Sequence, residues 1–173
     1  MIQTFSEKKV LVNRAITRAK TGLYFIEACL NCIHRGGTDA AFSRSIYILF
    51  AFNFELILKS RAILARSGTT KDDLIKNLKH HDLEKISKEL SKSDLNDINI
   101  KTIQKKHNVG FIEYAIETNT GEKIVIQDLV DVRYDFIKDS LRNSDPQEAN
   151  RMKSEINILL EMAKKTEEML NKI

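Results

Sequence analysis

The chain has 173 residues, of which 42% are hydrophobic and 30% charged, with one proline, six glycines and two cysteines. That length suits one domain with a sizeable core, and the composition excludes disordered, collagen-like and disulfide-stapled classes. Charge is unevenly placed: residues 1–107 carry 19 Lys/Arg against 11 Asp/Glu, whereas residues 108–173 carry 9 against 13, giving +4 overall. A basic front half can attract nucleic acid, although no run of basic residues exceeds two, which also fits a solvated surface of mixed sign.

The first predicted helix covers residues 6–32. Val12, Ile16, Ala19, Leu23, Ile26, Leu30 and Ile33 alternate spacings of three and four, which lays an apolar stripe on one face. Cys29 and Cys32 fall inside that stripe's surroundings, so they read as structural thiols rather than a redox pair at a helix start. Arg35-Gly36-Gly37-Thr38-Asp39 stops the helix and caps the next.

The second helix, predicted over residues 39–66, is apolar almost all the way round between Ile46 and Leu58 and therefore belongs at the centre of a bundle. Asn53 and Glu55 interrupt the run, which is too short and too polar to span a bilayer. With no disulfide framework and no leader signal, a cytoplasmic protein without a membrane segment is expected.

Beyond a stop at Ser67-Gly68-Thr69-Thr70, a short helix is expected, then the His80-His81 pair and an amphipathic helix from Asp82 to Leu90 capped by Asp82. Residues 91–109 read as a short helix and loop. Ile112, Tyr114, Ile116 and Thr118 then alternate with polar or small residues in the rhythm of a strand. A turn at Asn119-Thr120-Gly121-Glu122 returns it, so a small β-hairpin over 111–126 is predicted. Helices over residues 127–142 and from Asp145-Pro146 onward complete the chain. The last has Asp145 as cap, Pro146 in the first position, Glu148 closing a capping box, and a stripe at Met152, Ile156, Leu159, Ala163, Thr166, Leu170 and Ile173. The fold expected is mainly α, a bundle of about five helices with one inserted hairpin, forming a single domain over 1–173.

Three polar sites need partners. Glu55 stands in the most apolar segment, and an unpaired carboxylate there costs several kcal/mol. Lys59 lies one turn on and is its nearest candidate partner, with Arg133 the first choice from a distant segment. The alternative puts Glu55 on one exposed strip, paired with Lys59 in solvent. At His81-Asp82 the carboxylate can cap a helix while the imidazole, suited to acid–base work, reaches a neighbouring carboxylate or backbone group. His80 is expected to point outward. Arg133-Tyr134 suits a core boundary or a phosphate contact. Each site has a purely structural reading as well. No metal site or cofactor motif is present: P-loop, Gly-x-Gly-x-x-Gly, Gly-x-Ser-x-Gly and HExxH are all absent.

Taken in order, Glu55-Leu56-Ile57-Leu58-Lys59, His81-Asp82-Leu83 and Arg133-Tyr134 resemble the HEPN superfamily (higher eukaryotes and prokaryotes nucleotide-binding), over residues 40–140. The resemblance implies a bundle of four to five helices, often a homodimer, in toxin–antitoxin, abortive-infection or RNA-processing systems. It implies binding of RNA, a nucleotide or a protein partner, with Glu55, Lys59, His81, Asp82, Arg133 and Tyr134 lining a polar cleft. HEPN ribonucleases cut RNA without metal through an Arg followed four to six residues later by His. None of His34, His80, His81 or His107 has such an Arg. A divergent endoribonuclease would use His81 as acid or base with Arg66 or Arg133 folded beside it, and a non-catalytic dimeric scaffold is the third reading.

Overall fold

The computed structural model describes residues 5–33, 40–66, 78–108, 111–130 and 146–172. Three long helices, α1 (Phe5–Ile33), α2 (Ala40–Ala65) and α5 (Pro146–Lys172), form its helical layer. Between α2 and α5 in the chain lie two short helices, α3 (Leu83–Ser87) and α4 (Lys92–Asp97), and three strands, β1 (Ile100–Asn108), β2 (Phe111–Thr118) and β3 (Lys123–Gln127).

The predicted stripes are the packing faces. On α1, Val12, Ile16, Ala19, Leu23, Ile26 and Leu30 are all buried against α2 and α5. On α5, Met152, Ile156, Leu159, Ala163 and Leu170 are buried, and Thr166 satisfies its hydroxyl by donating to the Met162 carbonyl at 2.9 Å. Between Ile46 and Ile63, α2 buries residues on every side, including Phe50, Phe54, Ile57 and Leu58, as its continuous apolar run requires. Where α1 crosses α2 only a glycine fits: a Cβ on Gly22 would stand 2.4 Å from Asn53 Nδ2. Among the described residues no helix is long and apolar enough to cross a membrane.

The sheet corrects one expectation. It has three antiparallel strands in the order β1-β2-β3 rather than a lone hairpin, and the segment read as a loop supplies β1. The reason is physical: β1 is an edge strand whose burial fades along its length, from buried Ile100 to exposed Lys106, His107 and Asn108. Such a strand carries no sustained apolar alternation for a reader to find. Lysines along an edge also discourage pairing with foreign strands. The inner face of the sheet, made by Tyr114, Ile116, Thr118, Ile124 and Ile126, joins Ile98 and Ile100 in one apolar cluster with all three long helices. Two turns hold the strands. Gly121 takes φ +86° between β2 and β3, a conformation that suits glycine, and Asn99 takes φ 64° between α4 and β1.

The helix expected over 127–142 begins at Leu129, and its remainder lies outside the described residues, as do Arg133, Tyr134, His34 and most of the short helix expected after Thr70.

Candidate functional site

Glu55 is 3% exposed, inside the most apolar helix of the protein. Its carboxylate is held from two sides. Lys59, one helical turn on, places Nζ 2.7 Å from Oε1. His81, from the segment preceding α3, places Nδ1 3.1 Å from Oε1 and 2.9 Å from Oε2. A carboxylate only accepts, so Nδ1 carries the proton and donates, and in the neutral ring Nε2 is left with its lone pair. The imidazole is 37% exposed, whereas the carboxylate beneath it is 4% exposed.

His81 is positioned by its neighbour. Asp82 is the N-cap of α3 and accepts from the Lys85 backbone N–H at 3.1 Å. Its second oxygen accepts from Lys105 on β1 at 2.8 Å. Partial burial alone would push the Asp82 carboxyl up, but the Lys105 ammonium and the Lys85 N–H outweigh it and hold the group below its ordinary range. The hydrogen bond to Asp82 pushes Lys105 up correspondingly.

Strand pairing continues the polar chain. Lys105 faces Tyr114 in the β1–β2 register, and its ammonium sits 5.8 Å from the centre of that ring. The Tyr114 hydroxyl donates to Asp128 Oδ2 at 2.6 Å. Burial first, then the Asp128 carboxylate, drive the phenol's ionisation well above its usual range. Asp128 Oδ1 in turn accepts from the Val130 N–H at 2.9 Å, closing the first turn after β3. Buried or half-buried ionisable groups from α2, the segment leading into α3, β1, β2 and the turn after β3 are thus joined in two linked sets, Glu55–Lys59–His81 and Asp82–Lys105–Tyr114–Asp128.

A second buried charge was not anticipated. Arg61, on another side of α2, is 1% exposed and donates through Nη2 to Asp94 and Asp97 at 2.7 Å each and through Nε to the Asp94 carbonyl. Asp94 also completes a capping box with Ser91, so α4 is fixed in place by the same carboxylate that meets Arg61. Arg66, considered as a companion for His81, pairs instead with Glu89, and its carbonyl accepts from Lys8. His80, expected to point outward, is half-buried.

The link between Lys105 and Tyr114 was not legible in the sequence, because Lys105 lay in the segment taken for a loop and no register joined it to the strand residue Tyr114. Asp128, directly before an apolar helical residue, was detectable as a cap. Among the described residues no group of three His, Cys, Asp or Glu is placed to hold a metal ion. Comparison of the chain with protein-family models, with curated proteins and with solved structures gives no match.

Proposed function

We propose that this chain is a HEPN-like RNA-binding protein, acting in the cytoplasm as a homodimer, that meets the phosphodiester backbone through the Glu55–Lys59–His81 cluster. One observation carries the reading: a buried carboxylate holds a half-exposed imidazole by Nδ1, with an ammonium 2.7 Å from the same carboxylate. One negative charge is matched by Lys59, so a protonated His81 makes the cluster net positive at the surface. The cluster lies within the basic half of the chain, and Lys105 stands beside Asp82, the next residue. A prokaryotic stress, toxin–antitoxin or phage-defence system is the setting that the resemblance suggests.

Fluorescence anisotropy with labelled RNA, across a salt series with EDTA present, tests this. Affinity that falls with salt, and a slope reduced by roughly 0.7 in His81→Ala, are expected for one lost phosphate contact on a single strand. Absence of binding by the wild-type chain at low salt would favour the scaffold reading.

A divergent metal-independent endoribonuclease is the second reading, favoured by the Nδ1-to-carboxylate bond. That bond fixes the tautomer in which Nε2 can take a proton, as in carboxylate–imidazole pairs that act as general bases. Cleavage of labelled RNA in EDTA, lost in His81→Ala and slowed in Glu55→Gln, is its signature. Cleavage that persists in His81→Ala removes that residue from the chemistry.

A further inference from the structure

The face of α1 opposite its core stripe is unusual for a solvent-facing surface. Tyr24 is 54% exposed and Phe25 57%, and Val10 and Leu11 are 48% and 43% exposed. Arg14 and Arg18 lie on the same face, both exposed, with Thr17 between them and Thr21 before the aromatic pair. Neither arginine has an acidic partner among the described residues. Glu27, the one acid between positions 10 and 28, is half-buried on the flank of the helix. The strip therefore combines two uncompensated cations with two exposed aromatic rings, over about 22 Å of helix.

We infer that this face binds single-stranded nucleic acid, its arginines on phosphates and the Tyr24 and Phe25 rings stacked on bases. Every base has a π-face, so stacking tolerates any sequence, and guanidinium groups supply the backbone contact. A second copy of the chain fits the face less well. Antiparallel pairing that sets Phe25 against the other copy's Leu11 brings Arg18 against Arg18. Parallel two-fold pairing sets each arginine against itself. Like charges facing each other oppose these two registers, whereas a polyanion is complementary along the whole strip.

The inference rests on reading the chain as an RNA binder but assigns a different surface from the His81 cluster, so each can fail alone. The test uses a labelled oligouridine of roughly twelve nucleotides, within the length such platforms cover, and a duplex RNA of equal length. Full-length variants are Tyr24→Ala with Phe25→Ala, Arg14→Ala with Arg18→Ala, and His81→Ala. All four α1 side chains are exposed, and circular dichroism checks that each variant folds. Loss of the aromatic pair should weaken oligouridine binding at least tenfold while changing duplex binding little. Loss of the arginines should lower the salt slope by about 1.4, from roughly 0.7 per phosphate contact. Wild-type affinity in both α1 variants overturns the inference, whatever His81→Ala does. A dimer that dissociates in the aromatic variant, read by sedimentation, also overturns it and assigns the face to self-association. Weakened binding in the α1 variants with none in His81→Ala keeps this surface and removes the cluster from RNA contact.

Discussion

Lys59→Met should be more destabilising than Glu55→Gln, although each removes one half of the same ion pair. The side chain of Glu55 is 4% exposed, against 18% for Lys59 and 37% for His81. Removing the ammonium leaves a buried carboxylate with His81 alone. An uncompensated buried charge costs 3–5 kcal/mol, and the remaining imidazole reduces this to about 3 kcal/mol. Glu55→Gln instead keeps volume and acceptor, and both partners, Lys59 and His81, can reach water. Only the charge-assisted part of two hydrogen bonds is lost, about 1–2 kcal/mol. Combining Lys59→Met with Glu55→Gln removes both charges, so the double variant should be more stable than Lys59→Met by about 1 kcal/mol or more. Urea unfolding followed by circular dichroism measures all three. For a chain of this size, 3 kcal/mol also corresponds to about 6–12 °C in Tm. A double variant less stable than Lys59→Met, or a Lys59→Met that costs under half a kcal/mol, would refute the idea that burial of Glu55 governs this cluster.

Three further outcomes follow from other contacts. Gly22→Ala should destabilise by about 2 kcal/mol through overpacking, because its Cβ meets Asn53 Nδ2 at 2.4 Å, and Asn53→Ala should relieve most of that loss in thermal unfolding. Tyr114→Phe should cost about 1–2 kcal/mol near neutrality, since buried Asp128 loses a 2.6 Å donor. The folded-state ionisation of Tyr114 is raised, so its stabilising contribution is complete below the ordinary phenol range and is lost as pH climbs above about 10; the variant's deficit should therefore shrink in strong base. Asp82→Ala should cost about 2 kcal/mol by removing both the α3 cap and the Lys105 partner. Because the Asp82 carboxyl is held low, that contribution is present above about pH 4 and disappears as pH falls through its lowered range, so acid titration of wild type and variant should converge there.

How far the sequence carried the fold depended on whether a residue's signal was local. The α1 and α5 stripes are local, since spacings of three and four leave one face to bury, and Pro146 marks where α5 begins. Glu55 was legible as an anomaly because a carboxylate in a run of aromatic and aliphatic residues must find a partner, and the helix pitch alone supplied Lys59. That a histidine preceding a capping Asp can reach a carboxylate was also legible; which carboxylate was not, and the second partner described for Glu55 is His81. Arg61 illustrates the opposite case. It sits near the end of α2, where a basic residue reads as solvent-facing, and its partners lie 33 and 36 positions away in a polar stretch without periodicity. Only a tertiary event, the placing of α4 beside α2, brings Asp94 and Asp97 to that arginine.

The two buried charges of α2 hold successive segments of the chain. Glu55 holds the residue that leads into α3, and Arg61 holds α4 through Asp94 and Asp97, so α3, α4 and the attached sheet are fixed to α2 at two points on different sides of one helix. Apolar contact between such layers is non-directional and tolerates sliding, whereas an ion pair buried at each point penalises every register but one. The orientation of His81 is therefore set by more than Glu55. It depends on Asp82 capping α3, on Lys105 meeting Asp82, and on the register that brings Lys105 to Tyr114 and Tyr114 to Asp128. A ring fixed this way keeps Nδ1 on the carboxylate without a ligand's help. It follows that substitutions at Asp82 or Tyr114, which need not touch a ligand at all, should weaken any chemistry or binding that passes through His81.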